Sequence, residues 1–363
     1  MKINIIIPGV GLSGGIRVLF TYAELLSKKE NDIVFYTPIL AYDVKNSKNI
    51  INNKFHVITN TIKRIISYFV KQNHLHIDFK IVVKPIPYIS NIYVRDADLT
   101  IATAWPTAYS VNSLSEKKGK KIYFVQDYEV WNNELFGKRS YELPMQKIVI
   151  SEWINKKIKE QINCKDLPIV YDGIDQVFLE CPFIERYFTK NLKLVMLYHN
   201  LKKKGVQNGI ESFQRLKREY PSIELTMFGL VDNPKLCDGI KYVYNPSRTE
   251  LLNLYRESDV MIFPSLEEGW GLTPLEAMAT GCVVVGTDVG CMIDIGKDKY
   301  NALISRPGDV EAMVDNIKYI LSNPEEAKRI SKNGYYTVQE FSWDKCSERF
   351  EQQLRKVLHE SKG

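Results

Sequence analysis

Histidine is scarce in this 363-residue chain, with five in all, and the six cysteines (Cys164, Cys181, Cys237, Cys282, Cys291, Cys346) lie scattered with no Cys-x-x-Cys pairing. Neither a zinc site nor a disulfide framework is expected from so few, so dispersed ligands, and reduced thiols in a cytoplasmic setting are the default. No apolar run approaches the roughly 18 residues that a membrane-spanning helix needs. The opening Met1-Lys-Ile-Asn-Ile-Ile-Ile-Pro-Gly9 holds too short an apolar stretch for a signal peptide. Short-period repeats and low-complexity tracts are absent. So is any array of basic and aromatic residues, which speaks against nucleic acid as a partner.

The charge that is present is unevenly placed. The net +6 divides into 26 Lys/Arg against 19 Asp/Glu (+7) in residues 1–190 and 23 against 24 (−1) in residues 191–363. A basic half suits a membrane surface or an acidic acceptor. Within it, residues 54–95 carry Lys54, Lys63, Arg64, Lys71, Lys80, Lys84 and Arg95 against Asp78 alone. There, Thr61-Ile-Lys-Arg-Ile-Ile-Ser-Tyr-Phe-Val-Lys71 mixes bulky apolar and basic side chains at near-helical spacing. Such a segment can lie on an anionic membrane or pack as an ordinary helix on a sheet.

Apolar residues at 45% and charged residues at 25% are ordinary for a soluble globular protein, and the length suffices for two domains. Strand and helix patterns alternate throughout, which predicts α/β layers on mostly parallel sheets. Strands are expected at Lys2–Pro8, Asp32–Tyr36, Leu99–Ala104, Lys121–Gln126, Leu194–Tyr198, Ile223–Gly229, Tyr242–Tyr244, Val260–Phe263 and Val283–Gly286. Residues 182–191 change character, so domains are expected at 1–188 and 189–344, with a last helix from about 345 to 363. That helix sets Trp343, Cys346, Phe350, Leu354 and Val357 on one face.

The most informative stretch is Pro264-Ser-Leu-Glu-Glu-Gly-Trp-Gly-Leu-Thr-Pro-Leu-Glu-Ala-Met-Ala-Thr-Gly281. It reads as a glycine turn opening a short helix, between two buried strands. Such a turn presents unpaired backbone N–H groups and a positive dipole end, which suits a phosphate. Glu268 and Glu276 would be repelled by phosphate and more plausibly bind hydroxyls beside it. Diphosphate together with hydroxyls describes a nucleotide sugar.

This segment resembles the Glu-x7-Glu signature of the family-4 glycosyltransferases, retaining enzymes of the GT-B fold, with Trp270 where the usual pattern has Phe. The resemblance implies two Rossmann-like domains facing a central cleft, the terminal helix crossing back to the first. It implies that Glu268 contacts sugar hydroxyls at the reacting centre, that Glu276 binds ribose hydroxyls, and that backbone at Gly269, Trp270, Gly271 and Leu272 receives the diphosphate. Tyr198-His-Asn-Leu-Lys-Lys-Lys-Gly205 matches the family's diphosphate-neutralising pair at Lys204. His199 stands where that pair has Arg, and Lys202 or Lys203 would compensate for its weaker charge. Near the amino terminus Gly14, Gly15 and Arg17 resemble a loop beside the diphosphate or the acceptor. Gln126 replaces the family's His, and Asp127 next to it is a candidate for a sugar or acceptor hydroxyl, or else a cap. Trp105 and Tyr109 either stack on a sugar or lie in the core. Asp172-Gly-Ile-Asp175 resembles a positional turn, and Tyr244 lines the base-binding wall.

The reading implied is a retaining transferase that moves a hexosyl or deoxyhexosyl group from a nucleotide-diphosphate sugar to a glycan or lipid-linked acceptor. No metal or other cofactor is expected. Its setting would be cell-surface polysaccharide or glycoconjugate synthesis, in the cytoplasm or peripherally on the inner face of the plasma membrane. Loose similarity to rhamnosyltransferases of surface-glycan assembly favours a deoxythymidine-diphosphate donor, with uridine and guanosine diphosphates open. A GT-B nucleotide-sugar 2-epimerase and a catalytically silent sugar-nucleotide-binding subunit are the rival readings.

Overall fold

The computed structural model describes residues 1–9, 14–42, 57–63, 65, 66 and 81–359. It divides into two units, Met1–Ile150 with Ile154–Val170 and Cys346–Gly363, and Ser151–Trp153 with Tyr171–Lys345. Each unit holds one sheet of six parallel strands. In the first, β1 (Lys2–Ile6), β2 (Asp32–Pro38), β3 (Val82–Ile86), β4 (Leu99–Ala102), β5 (Lys120–Val125) and β6 (Gln146–Val149) lie in the order β3-β2-β1-β4-β5-β6. In the second, β7 (Lys193–Leu197), β8 (Glu224–Gly229), β9 (Ile240–Tyr244), β10 (Val260–Phe263), β11 (Val283–Thr287) and β12 (Leu303–Ser305) lie in the order β12-β11-β10-β7-β8-β9. Counted from its own first strand, each sheet has the Rossmann order, and its strand order reverses beside that first strand. Helical crossovers cover both faces of such a sheet, which is why β10, Val-Met-Ile-Phe, is apolar throughout and buried at all four positions.

Three strands escaped the sequence pattern: β3, the four-residue edge strand β6, and β12. β3 is an edge strand holding Lys84 and Pro85, and its first residue, Val82, is exposed. An edge tolerates a proline whose missing N–H faces away from the sheet. β12 is only three residues long. The helix Trp105–Asn112 lies where the sequence pattern led to no expected element.

The boundary between the units falls at Val170 and Tyr171, earlier than the expected 188/189. Packing explains the difference. Phe188 lies in the apolar core under the second sheet, and Phe178 meets Tyr255 edge-on at 6.0 Å. Arg186, 6% exposed, donates to the carbonyls of Gly281 (2.8 Å), Thr280 (2.8 Å), Tyr255 (3.1 Å) and Arg256 (3.0 Å). One guanidinium thus caps the carboxyl ends of two helices, Arg248–Glu257 and Leu272–Ala279. A segment of mixed polarity is therefore part of the second unit's body.

The last helix, Trp343–His359, buries Cys346, Phe350, Leu354 and Val357 as its periodicity predicts. Phe350 packs at 4.8 Å from both Tyr22 and Phe124, and Lys120 donates to the Val357 carbonyl (2.8 Å). From Cys346 onward the helix belongs to the first unit. Residues 360–363 lie outside the described residues, as does most of the basic segment 61–71. Residues 57–63, 65 and 66 are helical and expose Ile58, Ile62, Ile65 and Ile66. Among the described residues no helix is long and apolar enough to cross a membrane.

Candidate functional site

The loops after β7 and β10 meet because those strands are neighbours where the second sheet's order reverses. After β7 the chain makes a tight turn at Lys202–Lys204, and Gly205 then opens the helix Val206–Glu219. Gly205 adopts φ 61°, and a β-carbon there would fall 1.8 Å from the Pro264 carbonyl oxygen, so only glycine lets the two backbones touch. The Lys203 carbonyl accepts from the N–H groups of Leu266 (2.7 Å) and Glu267 (3.2 Å). Laced in this way, the loops set Lys204 Nζ 2.5 Å from Glu268 Oε2, to which Ser265 Oγ also donates (3.4 Å). The two charged side chains keep 19% and 12% of their surface exposed, enough to exchange partners with a ligand.

Glu268 stands beside the helix Leu272–Ala279. Its N-cap is Gly271, at φ 87° and without a side-chain cap, so the N–H groups of the first turn have no side-chain acceptor there. A β-carbon at Gly290 would meet the Trp270 carbonyl oxygen at 2.4 Å and Glu268 Cγ at 2.9 Å, so bare backbone walls the glutamate on that side. The Gly269 carbonyl accepts from Ser151 Oγ (2.5 Å), and that of Trp270 from the Cys291 N–H (2.6 Å). The Trp270 ring is 3% exposed, stacks on Tyr171 at 4.9 Å and tilts against Phe341 at 5.9 Å. Its indole is packing, and only its backbone faces the turn.

His199 follows β7, its Nδ1 accepting from the Leu201 N–H (3.0 Å). Burial and the Lys204 ammonium hold its pKa below the usual histidine range, Glu268 opposing and Lys203 reinforcing the effect. At neutral pH it is an uncharged ring, so the cation in the expected arginine place is missing.

Glu276, one turn into the helix, is 3% exposed. Arg248 donates through Nη1 to Oε1 (2.9 Å), and the Tyr255 hydroxyl to Oε2 (3.3 Å). Burial leaves the carboxyl's pKa above the usual carboxylate range, with Arg248 opposing the shift and Asp175 reinforcing it. Arg248 also pairs through Nε with Asp175 Oδ2 (2.7 Å), whose Oδ1 accepts from Trp343 Nε1 (3.2 Å). Asp175, expected to be only positional, therefore joins the carboxylate network. Arg248 and Tyr255 were not anticipated; the Ser247–Glu250 capping box marks their helix but says nothing of what its side chains touch. Tyr244, at the end of β9, is exposed.

In the first unit, Gly15 lies against Gln126, whose Oε1 a β-carbon at 15 would approach to 3.1 Å; that oxygen is buried without a partner. Arg17 is exposed on its helix. Asp127 accepts from the N–H of Tyr128 (2.9 Å). Glu129, passed over in the sequence, is the buried carboxylate here and accepts from the Trp105 N–H (2.9 Å) and the Tyr123 hydroxyl (3.0 Å). Trp105 is 4% exposed with Nε1 on the Trp131 carbonyl, and Tyr109 donates to the Phe136 carbonyl. Trp105 is a packing residue, and Tyr109 is half-buried with its ring edge-on to Phe136. Residues 10–13 of the glycine loop lie outside the described residues.

Among the described residues no group of three or more His, Cys, Asp or Glu is disposed to hold a metal ion. The sequence does contain one Asp-x-Asp pair, Asp96 and Asp98, ahead of β4. Asp98 accepts from the Lys2 N–H (2.7 Å) and Asp96 pairs with Lys118 (2.7 Å).

Residues 182–337 match the model of the family described as glycosyl transferases group 1. Over the full length of both proteins the chain is 25% identical to the capsular polysaccharide biosynthesis glycosyltransferase CapM of Staphylococcus aureus. Over 101 residues, 27% of this chain and 28% of the relative, it is 39% identical to the lipopolysaccharide core biosynthesis mannosyltransferase LpsB of Rhizobium meliloti. Its fold matches Anabaena Alr3699/HepE, solved in complex with UDP-glucose, with a TM-score of 0.71 over 98% of this chain and 100% of that one at 13% identity.

Proposed function

We propose that this chain, whose residues 182–337 carry a glycosyl transferases group 1 domain, moves a hexosyl or deoxyhexosyl group from a nucleoside-diphosphate sugar to a glycan or lipid-linked acceptor with retention at the anomeric carbon. The observation that carries the reading is the Lys204–Glu268 pair, seated beside the Gly271 helix opening where the second sheet's order reverses. In open α/β sheets that is where ligands bind. CapM's role in capsular polysaccharide biosynthesis and HepE's complex with UDP-glucose support the setting and the donor class.

The donor's base lies toward Tyr244 and its ribose on Glu276. The diphosphate lies across Lys204 and the N–H groups at Gly269–Leu272, with His199 contributing contact but no charge. An arriving diphosphate takes Lys204 from Glu268 and frees that carboxylate for sugar hydroxyls. The bond from the anomeric carbon to the diphosphate oxygen then breaks, and its electron pair leaves on the diphosphate. Lys204 and the helix end stabilise that charge as it grows, so no metal is needed for the task. The acceptor hydroxyl attacks the face the diphosphate has left, and its proton passes to the departing oxygen. Acceptor binding belongs to the first unit, where Gly15 and Arg17 lie in the first turn of the helix Gly14–Lys28 and Asp127 follows β5.

The test is Glu268→Gln with a radiolabelled donor panel and a lipid-linked acceptor pool. Transfer should fall a few hundredfold, about 3–4 kcal/mol of transition-state stabilisation, while nucleoside-diphosphate affinity stays near the wild-type value. Wild-type turnover in the variant would remove Glu268 from the site. Release of a free 2-epimer without acceptor would replace transfer by epimerisation. No consumption of any donor by the wild-type protein would leave a binding subunit.

The chain is further proposed to work in the cytoplasm, docked on the anionic inner face of the plasma membrane. Four exposed isoleucines on the helix within 57–66 support this, set in a sequence stretch of seven basic residues and one acidic. Each basic group near anionic lipid contributes about 1 kcal/mol. Flotation with anionic liposomes should recover the protein at low salt and lose it at high salt, and indifference to such liposomes at low salt would refute the docking.

A further inference from the structure

The assignment of ribose to Glu276 is the premise here, and the geometry around that carboxylate carries it further. A solitary glutamate this deeply buried would take up a proton and become a poor acceptor. Several charged or titratable groups face its helix from the packed elements, among them the thiols of Cys282 and Cys291, whose pKa values burial raises. Arg248 and Tyr255 come from the helix Arg248–Glu257, and Asp175 from the turn before Gln176–Leu179. Arg186 lies at the helix's carboxyl end, where its guanidinium is committed to backbone carbonyls. Among the described residues, Arg248 is the one cation paired with Glu276 itself. The guanidinium is held from both sides, by Glu276 Oε1 at 2.9 Å and Asp175 Oδ2 at 2.7 Å, and Trp343 anchors Asp175 in turn. Tyr255, fully buried, is kept protonated by burial and by Glu276, so its hydroxyl stays a donor. Each oxygen of Glu276 thus takes one protein donor, and a carboxylate oxygen accepts about two. One acceptor position remains on each, side by side, and two adjacent hydroxyls fill such a pair.

We propose that Arg248 is a positioning residue that keeps Glu276 ionised and aligned, so that the carboxylate accepts both hydroxyls of a ribose 2′,3′-diol and the site selects ribonucleoside diphosphates over their 2′-deoxy counterparts. Among the donors left open by the sequence this turns the choice away from deoxythymidine diphosphate and toward uridine or guanosine diphosphate. A lysine at 248 would keep the charge but not the fork that spans Glu276 and Asp175.

The test is isothermal titration of wild type, Arg248→Gln, Arg248→Lys and Glu276→Gln with UDP against 2′-deoxy-UDP, and GDP against 2′-deoxy-GDP, between pH 6 and 8.5. Dividing one affinity by the other cancels the diphosphate's own titration and everything that His199 and Lys204 do to it. Wild type should prefer the ribo form at least tenfold, as expected for a hydrogen bond to a charged acceptor. In Arg248→Gln the preference should collapse at pH 6 and return as pH rises, because losing a neighbouring cation moves a carboxyl's titration up by about 1–3 units. Arg248→Lys should keep the wild-type pH dependence at a smaller ribo preference, and Glu276→Gln should show no preference at any pH. A wild-type ratio in Arg248→Gln at every pH, or equal and pH-independent losses in Arg248→Gln and Arg248→Lys, overturns the inference and leaves the donor site standing. A ribo preference that survives in Glu276→Gln also overturns it, independently of how the arginine variants fold. If wild type binds neither pair, the donor-site reading falls and takes the inference with it.

Discussion

Replacing Lys204 by alanine tests the site through two readouts that a purely structural ion pair and a catalytic cation move differently. The ammonium sits 2.5 Å from Glu268 Oε2, and both side chains are mostly enclosed, at 19% and 12% exposed. Without it the carboxylate keeps only Ser265, at 3.4 Å. Leaving a largely buried acceptor short of its partner costs about 1–3 kcal/mol, a fall of roughly 2–4 °C in melting temperature per kcal/mol for a unit of this size. The catalytic loss is separate. If Lys204 meets the charge that grows on the leaving diphosphate, transfer should fall by about 10²–10³ in kcat, with a smaller loss in diphosphate affinity. The double variant Lys204→Ala/Glu268→Ala then divides the two effects. Removing both charges should return most of the lost stability and none of the transfer. Calorimetric melting of the four proteins, with single-turnover rates for wild type and Lys204→Ala, completes the cycle. Transfer by Lys204→Ala within threefold of wild type would refute its catalytic role. A double variant no more stable than Lys204→Ala would refute the pairing itself.

Three further outcomes follow from named contacts. His199→Gln should share the wild-type pH–rate profile above pH 7, since burial and Lys204 keep the ring neutral there; a divergence on the alkaline side would show that a charged His199 contributes. Arg186→Met should cost about 3–5 kcal/mol in urea unfolding, because four carbonyls at two helix ends lose a buried charged donor; a loss under 1 kcal/mol would show that water or neighbours satisfy them. Asp294 has its pKa raised to about 6, first by burial, against the Glu152 N–H that donates to it. The folded state therefore holds a proton that the unfolded state releases between about pH 4 and 6, and stability from this group is gained as pH falls through 6. Asp294→Asn should accordingly raise the melting temperature most at about pH 7.5, by roughly half as much at about pH 5, and little below about pH 4, where both states hold the proton; an equal change at about pH 7.5 and below about pH 4 would detach Asp294 from the titration.

Local pattern made much of the architecture legible. Alternating apolar runs and helical stripes announced nine of the twelve strands and the terminal helix, because backbone hydrogen bonding and burial act through residue spacings of two and three to four. The three missing strands are the edges β3 and β6 and the three-residue β12, where exposure and shortness erase the pattern. The domain boundary was misplaced because Arg186 looks like a linker residue until its carbonyl partners, 69 to 95 positions away, are seen.

The sequence by itself determined the Pro264–Gly281 turn and helix, the eight-residue spacing of Glu268 and Glu276, and Lys204 before its glycine, all features in which neighbours along the chain dictate one another's geometry. Only the tertiary structure decided that Lys204 meets Glu268 across 64 positions, that Arg248 and Tyr255 hold Glu276 across 28 and 21, and that His199 is neutral. It also decided that Trp105 and Trp270 are packing and that Glu129 is the buried carboxylate of the first unit. The physical reason is one of range. Charge state and hydrogen-bond partnership depend on what folding brings within a few ångströms, and on how far it excludes water there, and neither is a property of sequence spacing.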